Sequence, residues 1–251
     1  SLVKEDLILQ EVINIRKDLP RLGTRKLQFI IQNKLISHQI SFGRDYLFDL
    51  LSEHKLLIRQ RKRKAITTDS RHWMRKYSNL VKGLAITRPE QVWVSDITYI
   101  RLTNQWGYLS LITDAYSRKI VAWNLEEHQT SNEMIETLKK AVDERNPEPG
   151  LIIHSDKGSQ MRSESYREFI SNHNFAYSYT SLNHSCDENA AQESFHASLK
   201  KECIYQHKIR NYLQSYSLIY NYIENFYNTK RIHSSINYLS PCDFEKSLHT
   251  D

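Results

Sequence analysis

Apolar residues recur at helical spacing in three segments near the start of the chain. The first segment covers residues 4–17, and Pro20 and Gly23 break the pattern that follows it. Thr24 is predicted as the N-cap of the second segment, and a Ser-Phe-Gly stretch at 41–43 precedes the third. The apolar positions are Leu7, Ile8, Val12 and Ile15, then Leu27, Ile30 and Ile31, then Tyr46, Leu47, Leu50 and Leu51. This pattern predicts a small all-α module of three short helices.

From Gln91 onward the pattern changes to short runs of apolar and β-branched residues. Strands are predicted at 92–100, 107–114, 118–125, 151–155 and 175–180, and helices at 131–145, 163–173, around Glu193 and at 211–228. Three neighbouring strands, expected to be antiparallel, are followed by strands that alternate with helices. This order predicts an α/β domain that is built on a mixed sheet with flanking helices.

Three acidic residues lie in settings that are unusual for a surface charge. Asp96 lies inside the first predicted strand, Asp156 directly follows the fourth strand, and Glu193 falls in a predicted helix. Burying an unpaired carboxylate costs free energy, so a carboxylate in or at the end of a strand needs a partner. Three carboxylates that converge at one edge of a sheet form an oxygen-rich site for hard divalent cations. Sites of this kind carry out phosphodiester cleavage and transfer.

Four motifs follow one another along the chain. They are Val-Trp-Val-Ser-Asp96-Ile-Thr-Tyr-Ile, His154-Ser-Asp156-Lys-Gly-Ser-Gln160, Asn189-Ala-Ala-Gln-Glu193-Ser-Phe, and the closing stretch from Tyr227 to Pro241. In this order they resemble the motifs of retroviral-integrase-like DDE transposases, and more narrowly those of the bacterial insertion sequence 3 family. The sequence departs from the family pattern at Glu188, where Asp is usual, and at Ile232, where Pro is common. Neither position belongs to the acidic triad.

The resemblance implies a ribonuclease-H-like fold, with the first two acidic residues on adjacent strands and the third on a helix beside them. It implies two Mg²⁺ ions per site, replaceable by Mn²⁺, with Asp96 as the bridging ligand, Asp156 on one ion and Glu193 on the other. The implied reaction is cleavage and transfer of DNA strands at the ends of a mobile insertion sequence. The implied partners are double-stranded DNA, as terminal inverted repeats and as target, and further copies of the chain, with no membrane involved.

Two alternatives of a different class stay open. One is a non-catalytic DNA-binding regulator that derives from a transposase and keeps the fold without the reaction. The intact triad argues against it, because mutational drift would erode three separate acidic residues. A ribonuclease-H-like nuclease cuts DNA without joining it, and the sequence does not separate cutting from joining. An ATP-driven motor is disfavoured because the chain has no GxxxxGK or GxGxxG motif. The sequence also lacks the Arg, His and Tyr arrangement that is typical of tyrosine recombinases.

Positive charge is concentrated in the first third of the chain. The formal net charge is +6, but residues 1–88 hold 19 Lys and Arg against 8 Asp and Glu, and the remainder holds 16 against 21. This asymmetry indicates nucleic-acid contact in the first third. We therefore predict a helix-turn-helix-like DNA-binding module with a basic tail at 1–64, a linker at 65–90 and a catalytic domain at 91–251. The alternatives are a helical bundle that binds protein and a basic run that is only solvated.

Ten residues are predicted to contact DNA. They are Arg25, Arg44, Arg59, Arg61, Lys62, Arg63, Lys64, Lys230, Arg231 and His233. The third helix, with Arg44, is expected to enter the major groove, and the basic run is expected to track phosphates. A structural histidine in the core is an equally good interpretation of His233.

Three further features have competing interpretations. Asp114 also ends a predicted strand, and in the matching family segment this aspartate is a turn residue, so it is expected to bind nearby backbone amides. His154 beside the site either orders a phosphate or water, or buttresses the fold. One face of the helix at 211–228 is rich in tyrosine, which favours core packing over stacking on bases. Its members are Tyr212, Tyr216, Ile219, Tyr220, Ile223 and Phe226.

The cysteines and the apolar runs bear on the compartment. Cys186, Cys203 and Cys242 are odd in number and widely spaced, so neither a disulfide framework nor a cysteine-rich zinc site is expected. No run of eighteen apolar residues is present, and the first residues have no apolar signal region. The expectation is a bacterial cytoplasmic protein that associates with the nucleoid when it binds DNA.

Overall fold

The computed structural model describes residues 2–36, 40–58, 79–102, 105–127, 131–155, 161, 163–180 and 190–249. The chain divides into two compact units, Ser1–Trp73 and Met74–Asp251. The predicted basic run at 59–64 lies outside the described residues, as does much of the predicted linker. None of the helices in the described ranges has the length and apolar character that a membrane span requires.

The described part of the first unit contains the three helices that the apolar spacing predicts. They are α1, Leu2–Asp18, α2, Thr24–Leu35, and α3, Arg44–Glu53. Their apolar faces form one core, whose buried members include Ile8, Val12, Leu27, Ile31, Leu47 and Leu51. The Gln32 side-chain amide donates a hydrogen bond of 2.7 Å to the Phe42 carbonyl. This bond holds the segment before α3 against α2.

The start of α2 differs from the prediction. Thr24 is the first residue of the helix, and Gly23 takes the N-cap position with φ −69° and ψ 155°. No side-chain hydrogen bond caps this end. Thr24 is buried, with 7% of its surface exposed, and it already has helical conformation, which leaves the N-cap position to Gly23. The prediction that Thr24 is the N-cap was wrong for this reason.

The second unit is built on a five-stranded sheet in the order β3-β2-β1-β4-β5. The strands are β1, Val92–Arg101, β2, Trp106–Asp114, β3, Ile120–Glu126, β4, Ile152–Ser155, and β5, Ala176–Tyr179. The pairs β1–β2 and β2–β3 are antiparallel, whereas β4 runs parallel to β1 and β5 runs parallel to β4. The predicted ribonuclease-H-like mixed sheet is confirmed.

Five described helices accompany the sheet. They are α4, Ser131–Arg145, α5, Glu164–Asn172, α6, Ala190–Ser198, α7, Tyr212–Tyr222, and α8, Pro241–Ser247. Two of them continue without a break into a π-helical turn, α6 into Leu199–Cys203 and α7 into Ile223–Tyr227. Cys203 and Cys242 are free thiols, and Cys186 lies outside the described residues.

The alternation of side chains along the strands assigns the two faces of the sheet to two cores. On one face, Trp93 of β1 packs with Met134 and Leu138 of α4. On the other face, Ile100 of β1 packs with Phe195 of α6 and with the residues that follow it. Both faces are therefore covered by apolar side chains, and α6 lies against the strand that carries Asp96.

Asp114 forms the turn that the sequence predicts. Its Oδ1 accepts hydrogen bonds from the backbone N–H groups of Tyr116 at 3.0 Å and Ser117 at 2.8 Å. Its Oδ2 accepts a third from the N–H of Glu90 at 2.8 Å. Burial raises the pKa of Asp114, and the hydrogen bonds from Ser117 and Glu90 oppose that rise. The prediction that Asp114 binds nearby backbone amides is confirmed.

The tyrosine-rich face of α7 packs mainly in the interior. Ile219 and Ile223 are buried. Tyr216 and Tyr220 are 42% and 47% exposed, but their ring centroids lie 5.1 and 6.4 Å from that of Trp123. The isoleucines of this face are core residues, whereas Tyr216 and Tyr220 are exposed beside Trp123. The choice between packing and base stacking stays a prediction for these two tyrosines.

Candidate active site

Asp96 lies in β1 with 22% of its side chain exposed. The two-residue alternation of the strand places it on the face of Ile100, which packs with Phe195 of α6. Its Oδ1 accepts a hydrogen bond of 2.8 Å from the backbone N–H of Ile97. Asp96 is therefore a strand carboxylate that keeps partial access to solvent on the side of α6.

The parallel pairing of β1 and β4 brings two matching stretches together. Ser155, the last residue of β4, pairs with Ser95 of β1. Asp156 follows Ser155 in the sequence as Asp96 follows Ser95, although Asp156 itself lies outside the described residues. This register is the one that the predicted pair of carboxylates on adjacent strands requires.

The helix that contains Glu193 contributes a histidine next to Asp96. His196 of α6 has its Nδ1 atom 3.6 Å from Asp96 Oδ2. Glu193 lies three residues earlier in the same helix, and residues three apart occupy neighbouring positions on one helix face. The side chain of Glu193 is outside the described part of the chain. The helix that contains Glu193 is therefore in contact with Asp96 through His196.

Two basic side chains determine the electrostatics around Asp96. Burial, reinforced by the charge of Lys200, lowers the pKa of His196 to about 4, so its imidazole is neutral at neutral pH. Burial also lowers the pKa of Lys200, and the negative charge of Asp96 opposes this. The carboxylate of Asp96 thus has a neutral imidazole and a partly buried ammonium group as neighbours.

His196 and Lys200 are site residues that the sequence reasoning missed. A signal was present, because they follow Glu193 by three and seven positions, and this spacing puts all three residues on one helical face. Nothing in the local sequence shows that this face meets Asp96, which is far away along the chain. The contact follows only from the packing of α6 on β1.

One carboxylate of the predicted donor set, that of Asp96, lies in the described part of the chain. Within the described residues, no group of three or more His, Cys, Asp or Glu side chains is placed to hold a metal ion. Two of the three predicted ligands, Asp156 and the side chain of Glu193, lie outside the described residues. The described ligand, Asp96, offers carboxylate oxygens, which Mg²⁺ and Mn²⁺ prefer. Its neighbour His196 is uncharged at neutral pH and does not neutralise it.

His154 is a core residue in this structure. It is fully buried, and its Nδ1 atom lies 2.9 Å from the Ser178 hydroxyl. Its Nε2 atom lies 3.5 Å from Thr180 Oγ1. These contacts link β4 to the end of β5 and support the buttressing interpretation over a direct part in ordering phosphate.

The residues predicted to contact DNA fall into three groups. Arg25, Arg44 and Lys230 are exposed. Arg231 pairs with Glu202, its Nε atom 2.9 Å from Oε2, and His233 is buried. Both side chains therefore have partners or packing within the protein that do not involve DNA. The remaining five lie in the basic run outside the described residues. DNA contact stays a prediction for all ten.

The fold and the site together define a protein with an integrase core. A family model described as an integrase core domain matches residues 86–185, and a second integrase core model matches residues 193–248. The two matches cover the strands β1 to β5, the position of each predicted acidic residue and the closing motif.

Relatives identify the family more narrowly. The chain is 36% identical over 228 residues to a protein of insertion element IS600 from Shigella sonnei, which spans 90% of this chain and 82% of that protein. It is 36% identical to the transposase of element IS904 from Lactococcus lactis, over 70% of this chain and 72% of the other. It is 37% identical to the InsF transposase of IS3A from Escherichia coli, over 62% of this chain and 54% of that protein. The chain therefore belongs to the IS3-type insertion-sequence transposases.

A solved structure supports the fold. The chain aligns with a chain of the simian T-cell lymphotropic virus intasome, solved in complex with a PP2A regulatory subunit, with a TM-score of 0.51. The alignment covers 92% of this chain and 73% of that chain at 13% sequence identity. At this level of identity the similarity concerns the fold alone.

Proposed function

We propose that this transposase catalyses metal-dependent cleavage and transfer of DNA strands at the ends of a mobile insertion sequence. The observation that carries the proposal is the position of Asp96. It lies on β1 next to the end of β4, and the helix that contains Glu193 packs on the same face. Cleavage and transfer by an acidic triad need carboxylates that share metal ions, and these two strands and this helix are the elements on which the family resemblance places them.

The proposed ligands are Asp96, Asp156 and Glu193, which would hold two Mg²⁺ ions, with Mn²⁺ as a substitute. When bound, the ions polarise the attacking and departing oxygens of an in-line displacement at phosphorus. The chain itself orients the DNA and the carboxylates. Lys200 supplies a positive charge beside Asp96, which favours the approach of a phosphodiester.

The first expected result concerns the products. Incubation with element ends and Mg²⁺ should give free 3′-hydroxyl ends that become joined to another phosphodiester, with no covalent adduct between protein and DNA. The reason is that paired metal ions activate water or a 3′-hydroxyl directly, so no protein nucleophile is needed. By family resemblance, one end attacks the same strand near the other end and gives a bridged and then a circular intermediate. Denaturing gels with labelled ends measure both the joining and any adduct.

The same gels separate the alternatives. A nuclease without joining activity gives cut ends and no joined product, and a non-catalytic regulator gives neither. A stable link between protein and DNA through tyrosine or serine would reject the proposal in favour of another recombinase class. Chelator should abolish all products, because the carboxylates alone do not activate the nucleophile.

The proposed partner is double-stranded DNA, bound by several copies of the chain, and the first unit is proposed to hold the ends. Its charge distribution favours α2 over the predicted third helix as the element that meets DNA. α2 carries three basic and no acidic residues, whereas α3 carries Arg44 and three acids. These acids, Asp45, Asp49 and Glu53, are all exposed. Arg44 also pairs with Asp45 at 2.8 Å, and a net negative helix is repelled by phosphate.

Alanine at Arg25 of α2 should therefore weaken DNA binding more than alanine at Arg44 of α3. Both side chains are exposed, so the two variants are matched for folding. Loss of one phosphate contact should lower the slope of log affinity against log salt by about 0.9. Salt titrations on element ends and on random DNA measure the effect. If Arg44→Ala alone reduced the discrimination between the two DNAs, α3 would be the helix that recognises the base sequence, as the sequence pattern predicts.

A further inference from the structure

Arg231 of the closing motif is held inside the second unit by an ion pair with two points of contact. Its Nε atom donates to Glu202 Oε2 at 2.9 Å, and its Nη2 atom donates to Glu202 Oε1 at 2.9 Å. The same Nη2 atom lies 2.9 Å from the Ser198 hydroxyl. The side chains of Arg231 and Glu202 are only 12% and 18% exposed. With a further contact of 3.4 Å from Nη1 to His233 Nε2, the guanidinium group has four polar contacts and little access to solvent.

Aromatic residues complete the surroundings of this pair. The hydroxyl of Tyr222 donates to Glu202 Oε2 at 2.7 Å. The guanidinium carbon of Arg231 lies 5.6 Å from the ring centroid of Tyr227, and the Tyr227 ring lies 4.9 Å from that of His233. Charged and aromatic groups in this arrangement fix the side chains of both partners.

The pair joins two segments, one of which contains Glu193. Ser198 is the last residue of α6, and Glu202 lies in the π-helical turn that continues α6. Glu193 precedes Ser198 by five residues on that same helical segment. The other partners, Tyr222 and Arg231, belong to the end of α7 and the stretch after it. Arg231 therefore connects the closing motif to the helix of the third predicted carboxylate.

We propose that Arg231, Glu202 and Ser198 form a positioning clamp, which sets the place of Glu193 relative to Asp96, and that Arg231 does not contact DNA. The inference rests on the proposed function, in which Glu193 is a metal ligand. A π-helical turn adds a residue to a helical turn and offers more than one register, and such turns are frequent at functional sites. Metal ligands tolerate only small displacements. An ion pair that holds that turn in one register therefore also holds the position of Glu193.

The desolvation of two buried charges offsets much of their attraction, so we assign the role of this pair to the arrangement of the site. The molecule contains a matched pair for comparison. Arg145 binds Glu245 through two contacts of 2.9 Å, and these side chains are 15% and 11% exposed. That pair links the end of α4 to α8 and includes no residue of α6. It is a two-contact Arg–Glu pair of similar burial, and its further partners are Glu90 on the Arg145 side and Lys119 and Ser117 on the Glu245 side. None of these residues belongs to the helix that contains Glu193.

The test compares Glu202→Gln and Arg231→Lys with Glu245→Gln and Arg145→Lys in the full chain. Mn²⁺ binding without DNA is measured from the free Mn²⁺ signal in electron paramagnetic resonance, and cleavage is measured against Mg²⁺ concentration. The clamp variants should raise the half-saturating metal concentration about 10- to 100-fold in both measurements. The Arg145 and Glu245 variants should lower the melting temperature similarly and leave metal binding unchanged. Arg231→Lys keeps the charge but loses the fork geometry, so a mere phosphate contact would be largely preserved in it.

Equal metal binding in the clamp variants and in the matched pair would overturn the proposal. Glu193→Gln separates this failure from failure of the proposed function. If Glu193→Gln weakens Mn²⁺ binding and Glu202→Gln does not, the clamp alone is wrong. If Glu193→Gln has no effect on Mn²⁺ binding, the assignment of Glu193 as a metal ligand is wrong, and the clamp proposal is then wrong as well. Should Glu202→Gln fail to fold, Ser198→Ala removes one hydrogen bond without disturbing the ion pair. It should then give a smaller rise in the half-saturating concentration, and no rise would overturn the clamp.

Discussion

Replacing Asp96, Asp156 or Glu193 by the corresponding amide is expected to slow strand cleavage by about three orders of magnitude. Each substitution keeps the size of the side chain and removes a negative charge that would hold the metal ions. Metal stabilisation of the displaced oxygen is worth several kcal/mol, and about 1.4 kcal/mol corresponds to a tenfold change in rate. The measurement is the cleavage rate of labelled element ends by purified, folded variants in Mg²⁺ and in Mn²⁺.

Asp114→Asn provides the control for this experiment. Asp114 is another strand-end aspartate, but its carboxylate accepts two backbone hydrogen bonds inside the turn, from Tyr116 and Ser117, and a third from the backbone of Glu90. An amide turns one acceptor into a donor that faces a backbone N–H, so the variant should lose about 1–3 kcal/mol of unfolding free energy. Its cleavage rate per folded molecule should stay near that of the wild type.

The Asp114 variant should therefore lower the melting temperature and keep the cleavage rate. The Asp96 and Asp156 variants should lower the cleavage rate. A folded Asp156→Asn protein that still cleaves element ends at the wild-type rate would eliminate the carboxylate site. A large loss of rate in folded Asp114→Asn would instead require the turn to take part in the chemistry.

Alanine at Arg61, Lys62, Arg63 and Lys64 together is expected to flatten the salt dependence of DNA binding by about three to four units in the log–log slope. Each basic side chain that neutralises a phosphate releases condensed counterions, which contributes about 0.9 to the slope on duplex DNA. The relative preference for element ends over random DNA should change little, because phosphate contacts carry no sequence information.

A suitable control removes Lys139 and Lys246 of the second unit, two exposed lysines. Each pairs with an acid three residues earlier, Glu136 at 2.6 Å and Asp243 at 3.7 Å. These substitutions lower the net charge without touching the basic run, so the slope should be preserved. If the fourfold variant also kept the wild-type slope, the run would be a solvated linker. The DNA-binding role would then shift to other basic residues of the chain.

The sequence by itself determined the elements and the local contacts of the second unit. The predicted strands at 92–100 and 107–114 correspond to Val92–Arg101 and Trp106–Asp114 in the structure, because periodicity is a property of neighbouring residues. The turn at Asp114 was equally accessible, since the amides of Tyr116 and Ser117 that it binds lie within three positions. Local chemistry of this kind is complete within a few residues and needs no tertiary contact.

Only the tertiary structure decided which distant residues meet. The sequence predicts DNA contact for Arg231 and gives no sign of its ion pair with Glu202, 29 residues away, which only packing brings about. His196 reaches Asp96 only because α6 packs on β1, and Thr24 packs in the core instead of capping α2. In each case the outcome depends on burial, which changes the favoured partner of a polar group. Burial is set by the whole fold and cannot be read from neighbouring residues.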